Sequence, residues 1–152
     1  MNHDPQRAFK KYQRTEDSIF YFFQQIQDRF HHKPTKSTIA AFIDLSQAFN
    51  RVWKEKLILK LDRLGIEGSM LSWISNFLSK RTIHVNFNNN NKSKTTRIYQ
   101  GLPQGSILSP ILFNIYLNYV HTFIKPLAKI ALYADDIIIW VSKITSLMKN
   151  TL

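Results

Sequence analysis

The segment Leu132-Tyr133-Ala134-Asp135-Asp136-Ile137-Ile138-Ile139 places two adjacent carboxylates between two apolar runs that are typical of β-strands. Removing unpaired charge from water is costly, so two Asp residues between apolar strands need something that offsets their repulsion. A divalent cation does this well, because carboxylate oxygens on a tight turn suit the hard cation Mg²⁺. The alternative is an ordinary hairpin in which Asp is only a turn residue. This segment alone leaves both interpretations open.

A third carboxylate stands at the end of another apolar run, Ile39-Ala40-Ala41-Phe42-Ile43-Asp44. The β-branched and aromatic residues predict a buried strand that delivers Asp44 at its carboxyl end. A structural alternative is that Asp44 caps a following helix. Asp44 and Asp135 are far apart in the sequence, so only a fold with adjacent strands would bring them together.

Two further segments lie between these carboxylates. The stretch from Gln100 to Pro110, Q-G-L-P-Q-G-S-I-L-S-P, has the Gly and Pro density of a shaped loop. The apolar run 111–117 follows it and predicts a helix. The other segment, Trp73 to Arg81, reads W-I-S-N-F-L-S-K-R.

Taken in order, these motifs resemble the reverse transcriptases of non-LTR retrotransposons, in particular those of Jockey-like elements of arthropods. The resemblance is carried by F-I-D-L-S-Q-A-F from Phe42, W-I-S-N-F-L-S-K-R from Trp73, G-L-P-Q-G-S-I-L-S-P-I-L-F-N from Gly101 and Y-A-D-D from Tyr133. It extends from about Thr15 to about Ser142. One such motif is weak evidence, but four of them in this order are specific.

The pattern of elements predicts an α+β fold with an antiparallel sheet backed by helices. We expect helices over 15–33, 52–64, 69–79 and from the Gly-Pro loop to about Thr122, and strands over 38–44, 82–87, 93–99, 130–133 and 137–141, with 88–91 as a hairpin tip. The resemblance implies a polymerase palm with incomplete fingers and no thumb. The expected organisation is a disordered basic segment 1–14, a partial reverse transcriptase domain 15–145 and a truncated element 146–152.

The resemblance implies RNA-directed DNA polymerase activity, with transfer of a nucleotide from a dNTP to the 3′-OH of a DNA primer on an RNA template. Two Mg²⁺ ions, or Mn²⁺ in their place, would assist the reaction. The family's catalytic carboxylates match Asp44, Asp135 and Asp136. The family's metal ligands match the same three residues and the main-chain carbonyl of Leu45. The contribution of Asp136 to direct ligation stays open.

The resemblance also assigns residues to nucleotide and nucleic acid. Phe49, Gln104 and Gly105 match the nucleotide pocket, where the Phe49 ring would exclude a ribose 2′-OH. Tyr133, Gly101 and Arg81 match positions that support the primer or template. Structural alternatives are a core position for Phe49 and a plain surface position for Arg81.

Composition is consistent with a polyanionic partner. The chain of 152 residues has a net charge of +11 and no cysteine, which excludes disulfides and Cys-based zinc sites. Residues 51–97 contain ten basic and three acidic side chains. No apolar run approaches the roughly 20 residues that span a bilayer, and the start lacks a signal peptide's apolar core. We expect no membrane partner, and the family implies an intracellular, nuclear location.

Two hypotheses remain at this point. One is a retroelement polymerase; the other is an inactive remnant that acts at most as a basic nucleic-acid-binding fragment. The presence of the three acids and Gln104 favours a catalytic ancestor. One departure from the family is Asn50, where Asp is usual. Oligomeric state is not indicated by the sequence.

Overall fold

A computed structural model describes Ala8, Tyr12 and residues 14–31, 36–87, 91–124 and 127–144. These residues form two compact units, one from 1–46 with 117–152 and the other from 47–116. The helices are α1 (Thr15–Phe30), α2 (Lys54–Arg63), α3 (Gly68–Leu78) and α4 (Leu108–Leu117), and the strands are β1 (Lys36–Asp44), β2 (Arg81–Ile83), β3 (Asn86–Phe87), β4 (Asn91–Lys92), β5 (Thr96–Ile98), β6 (Ala128–Tyr133) and β7 (Asp136–Ile144). The element 146–152 and most of 1–14 lie outside the described residues.

The first unit contains a three-stranded antiparallel sheet with the strand order β1-β7-β6. The predicted antiparallel arrangement is therefore confirmed, and β1 and β7 are both longer than expected. Thr38 and Ser142, on facing positions of β1 and β7, share a hydrogen bond of 2.7 Å between their hydroxyls. This pair fixes the register at the end of the sheet opposite to Asp44.

Helix α1 packs on one face of this sheet through aromatic side chains. Trp140 of β7 is 2 % exposed and makes edge-to-face contacts with Tyr21 and Phe22, at ring-centroid distances of 5.9 and 5.2 Å. Ala131 of β6 completes this cluster. Period-two alternation puts Trp140, Ala131 and Ala40 on the same face, so the helix covers all three strands.

The amino-terminal end of α1 is capped by Arg14 and Asp17. Arg14 is the N-cap, and its amide donates to the Asp17 carboxylate over 2.7 Å. Asp17 is the third helical residue, so it provides the reach-back half of a capping box. The Asp17 carboxylate therefore satisfies the backbone amide of the N-cap residue.

The prediction of a buried strand β1 is wrong. Ile39, Phe42 and Ile43 are 65, 69 and 41 % exposed. The reason is topological: β1 pairs only with β7 and lies at the edge of the described sheet. The hydrophobic pattern did specify a strand, but it did not specify the strand's position in the sheet.

The second unit contains α2, α3 and most of α4. Its largest buried side chains are Leu57, Leu61, Leu78, Leu112 and Phe113. Leu57 and Leu61 are one helical turn apart on α2, so they lie on the same, buried face of this helix. The predicted helix 52–64 starts later, at Lys54, because a short 3₁₀ helix at Ala48–Arg51 precedes it.

The predicted hairpin over 82–99 is present but interrupted. β2 pairs with β5 and β3 pairs with β4, while the Val85 amide between the two ladders donates to the Ser93 hydroxyl over 2.8 Å. Side chains 82–87 are all exposed, so neither face of this part of the hairpin is buried. Residues 88–90 of the predicted tip lie outside the described residues.

The helix after the Gly-Pro loop is shorter than predicted. It ends at Leu117 instead of continuing to about Thr122, and a 3₁₀ helix follows at Val120–Phe123. The Thr122 amide and hydroxyl both donate to the Tyr119 carbonyl. These i to i−3 bonds replace the α-helical pattern. Within the described residues, no helix is long and apolar enough to cross a membrane.

Candidate active site

The turn between β6 and β7 consists of Ala134 and Asp135. Ala134 has φ = 53°, whereas Asp135 is not among the residues with positive φ. A positive φ at the first turn residue alone is typical of a type II′ hairpin turn, in which Gly is the usual residue. Ala in this conformation costs about 1–2 kcal/mol. Strain of this kind is often found at functional sites.

The register brings the three predicted carboxylates to one end of the sheet. Asp44 is directly opposite Asp136 in the pairing of β1 with β7, and Tyr133 is opposite Asp136 in the pairing of β6 with β7. The Leu45 amide donates to the Asp135 carbonyl over 3.2 Å, which attaches the end of β1 to the hairpin turn. The part that these residues play in metal binding and catalysis stays a prediction.

Facing carboxylates on neighbouring strands repel each other. Asp44 and Asp136 are exposed and Asp135 is half-buried, so water screens part of this repulsion. Among the described residues, no group of three or more His, Asp or Glu side chains is close enough to hold a metal ion. The arrangement still fits Mg²⁺ in chemical terms, because Mg²⁺ commonly takes one or two carboxylates and completes its shell with waters and substrate phosphates.

The Gly-Pro loop of the second unit is anchored by the chain's own backbone. The Gly101 amide donates to the Val52 carbonyl and the Leu102 amide to the Phe49 carbonyl, both over 2.8 Å. Gly101 has φ = +82°, and a Cβ at this position would lie 2.5 Å from the Asn50 carbonyl oxygen. Gly101 therefore allows close approach to Asn50; its expected place beside the primer or template stays a prediction. Gly105 has φ = +83° with open space around the Cβ position.

Gln104 and Arg81 both contact polar groups around this loop. Gln104 Nε2 donates to Asn50 Oδ1 over 3.1 Å, so the departure at Asn50 leaves an oxygen acceptor in place. Arg81 Nη2 donates to the carbonyls of Gln100 and Gly101, over 3.2 and 2.5 Å. Burial lowers the pKa of the Arg81 guanidinium. Arg81 thus holds the loop, a role that the sequence did not predict.

Phe49 is half-buried, and one face of its ring stacks on Phe113 with centroids 4.3 Å apart and planes at 16°. Phe113 itself is 1 % exposed. This stacking supports the structural alternative in part, because it fixes the Phe49 ring in the core of its unit. Phe49 and Gln104 belong to the second unit and the three carboxylates to the first. The prediction that they share one site stays a prediction.

A cleft of about 790 Å³ in the second unit collects several of these residues. Gln104, Arg81 and Asn50 line it together with Arg97 and Tyr99. Its volume is in the range of pockets that bind small ligands. Gln104, which was expected at the nucleotide pocket, therefore lines a cleft together with the Arg81 and Arg97 side chains.

The chain matches, over residues 1–152, the protein family described as "Reverse transcriptase (RNA-dependent DNA polymerase)". It belongs to the reverse transcriptase family.

Several similar proteins come from transposons and other mobile elements. The chain is 36 % identical, over 64 % of its length, to the RNA-directed DNA polymerase from mobile element jockey of Drosophila melanogaster, of which it covers 11 %. It is 31 % identical, over 88 % of its length, to the probable RNA-directed DNA polymerase from transposon BS of the same species, of which it covers 15 %. A type-1 retrotransposable element R2 polyprotein of Popillia japonica is 26 % identical over 76 % of the chain.

Several residues beside the Gly-Pro loop of this reverse transcriptase domain were not predicted as site residues from the sequence. Asn50 was noted only as a departure, although its side chain accepts the hydrogen bond from Gln104. Arg97 and Tyr99 line the cleft, and the Arg97 guanidinium lies 5.6 Å from the centre of the Tyr99 ring. The signal that was available is the T-R-I-Y segment directly before Gln100, which places a cation and an aromatic residue two positions apart.

Proposed function

We propose that this reverse transcriptase domain is part of an RNA-directed DNA polymerase of a non-LTR retrotransposon. The reaction is attack of a primer 3′-OH on the α-phosphate of a dNTP, with release of pyrophosphate. The observation that supports this most directly is the register that places Asp44 opposite Asp136, with Asp135 in the adjoining turn. The chain spans 11 to 16 % of the length of the relatives that it matches, so the activity concerns a longer protein.

The carboxylates of Asp44, Asp135 and Asp136 and the carbonyl of Leu45 are the groups that would hold two Mg²⁺ ions, with Mn²⁺ as a substitute. When bound, such ions lower the pKa of the attacking hydroxyl and stabilise negative charge on the transferred phosphate. The protein's own contribution is rigidity. Strand pairing and the hydrogen bond from the Leu45 amide to the Asp135 carbonyl hold the backbone of the three acidic residues in place, which would keep the reorganisation during the reaction small.

The second unit would supply the dNTP pocket. Gln104 is held by Asn50, so its amide has a defined orientation toward the cleft. The Phe49 ring, fixed by stacking on Phe113, would reject a ribose 2′-OH by occupying its volume, and Gly105 would leave room for the nucleotide beside it. An RNA template, a DNA primer and dNTPs are the expected partners, with Tyr133 beside the primer end. A nuclear location is the expected one.

Primer extension tests this proposal. The protein is expressed with the coding sequence that flanks this domain and given an RNA template, a DNA primer, dNTPs and Mg²⁺. We expect extension that Asp135→Asn reduces by at least about 100-fold, since loss of several kcal/mol of charge stabilisation has that effect. Asp62→Asn, an exposed acid on α2, is the matched control. Failure of the long protein to extend any primer would favour the inactive-remnant hypothesis.

A further inference from the structure

A second cleft, of about 420 Å³, lies in the same unit between α2, the carboxyl end of α3 and β5. Lys54, Lys80 and Arg97 contribute positive charge to its lining, and Glu55 is the acidic residue among the lining side chains. Neither the resemblance to known reverse transcriptases nor the comparisons assign a role to this cleft. Its volume is in the range of pockets that bind small ligands or one unit of a polymer.

Two of the positive groups that line this cleft, Lys54 and Arg97, interact electrostatically. Lys54 is 9 % exposed, and its ammonium group donates to the Ile98 carbonyl over 3.3 Å. Its pKa is lowered first by burial and then by the charge of Arg81; Glu55 raises it and Arg97 lowers it further. Binding of an anion among such confined cations is favourable, because the anion offsets the repulsion between them. Lys80 has φ = 49°, an unfavourable conformation for a residue with a side chain.

An exposed aromatic residue stands at the edge of the cleft. Tyr99 is 76 % exposed and lines both this cleft and the cleft that contains Gln104. The Arg97 guanidinium lies against its ring. A positively charged groove with an exposed aromatic platform is the usual arrangement for binding single-stranded nucleic acid, because phosphates meet the cations and a base stacks on the ring.

We propose that the cleft between α2 and β5 binds the phosphates of a single-stranded nucleic acid, one base of which stacks on Tyr99. This inference rests on the proposed polymerase function only for the identity of the strand, which would be the RNA template. Lys80, which follows α3, and Arg97, on β5, bind phosphate. Lys54 adds a buried positive charge.

The test is fluorescence anisotropy of a labelled oligouridine of about 16 nucleotides, the upper site size of a single-strand binding module, with the full 152-residue chain. Affinity is measured over a series of salt concentrations. We expect Lys80→Gln and Arg97→Gln each to weaken binding several-fold and to reduce the salt slope by about 0.7, the value for one phosphate contact on a single strand. Tyr99→Leu is expected to weaken binding about five-fold or more at an unchanged salt slope.

The matched control is Lys92→Gln, which removes one positive charge from the exposed strand β4. Circular dichroism melting confirms that each variant is folded. Equal losses for Lys92→Gln, Lys80→Gln and Arg97→Gln would overturn the proposal, because they would show a response to net charge alone. Displacement of the oligouridine by polyglutamate as effectively as by unlabelled RNA would also overturn it, since polyglutamate has no base to stack on Tyr99.

Binding and catalysis are distinguishable in this design. Salt-dependent binding that requires Arg97 and Tyr99, together with no primer extension by the long protein, would support the cleft and contradict the polymerase. The opposite result would be primer extension by the long protein, with oligouridine binding unaffected by Lys80→Gln, Arg97→Gln and Tyr99→Leu. That result would support the polymerase and contradict the cleft.

Discussion

Asp44 and Asp136 are directly opposite each other in the antiparallel pairing of β1 with β7. Like charges in such a position destabilise a sheet by roughly 0.2–1 kcal/mol. The pair is unfavourable in a sheet that binds no cation. A divalent cation bound by both carboxylates would offset their repulsion, because it attracts each of them. The Leu45 to Asp135 hydrogen bond adds the turn carboxylate to the same end of the sheet.

The first prediction concerns metal binding without turnover. We expect Mg²⁺ at ten times its Kd to stabilise the chain by about 1.4 kcal/mol, which raises Tm by a few degrees. In Asp44→Asn this increase should be largely lost, while the metal-free Tm should be equal or slightly higher because one of two facing charges is gone. Differential scanning fluorimetry with and without Mg²⁺ measures both. If Mg²⁺ raised the Tm of Asp44→Asn as much as it raises the Tm of the Asp62→Asn control, the metal site would be contradicted.

The second prediction concerns Phe49. Because its ring stacks on Phe113, Phe49→Ala should destabilise the second unit, and a double-mutant cycle with Phe113→Leu should give a coupling of about 0.5–1.5 kcal/mol. In the long protein, the same variant should lower the preference for dNTP over rNTP, measured as the ratio of kcat/KM values. An unchanged ratio would leave Phe49 a core residue only. Phe87→Ala, at an exposed hairpin position, is the control for a loss of stability or of dNTP preference that any Phe→Ala change would cause.

The third prediction concerns the two glycines of the Gly-Pro loop. In Gly101→Ala, strain from the positive φ combines with a Cβ only 2.5 Å from the Asn50 carbonyl oxygen, so the free energy of unfolding should fall by more than about 2 kcal/mol. Gly105→Ala has similar φ but open space, and it should cost about 1–2 kcal/mol. Urea denaturation provides the comparison. Equal costs would mean that the loop moves away from Asn50 without penalty.

The fourth prediction concerns the contact between α1 and the sheet. Trp140 is 2 % exposed among Phe22, Tyr21 and Ala131, so Trp140→Ala should lower the free energy of unfolding by about 3–5 kcal/mol. Trp53→Ala offers a matched control, since Trp53 is 51 % exposed; it should cost no more than about 1 kcal/mol. Similar Tm values for the two variants would show that α1 contributes little to the sheet.

The local sequence was sufficient to predict those features that depend only on neighbouring residues in the chain. The apolar runs on both sides of Ala134 and Asp135 predicted the hairpin, and the run before Asp44 predicted a strand with a carboxylate at its end. The Gly-Pro density predicted the loop, because few residues adopt the positive φ found at Gly101 and Gly105. Four ordered motifs were enough to indicate the family, which the match over residues 1–152 confirms.

Only the tertiary structure decided how distant segments meet. Period-two alternation cannot distinguish an edge strand from a central one, so the exposure of Ile39 and Phe42 became visible only with the order β1-β7-β6. The hydrogen bonds of Gln104 to Asn50 and of Lys54 to the Ile98 carbonyl likewise join residues more than forty positions apart. The sequence by itself determined the elements and the acids that end them, because these follow from local propensity. The register, the clefts and the strand edges were decided by long-range packing, which no single segment encodes.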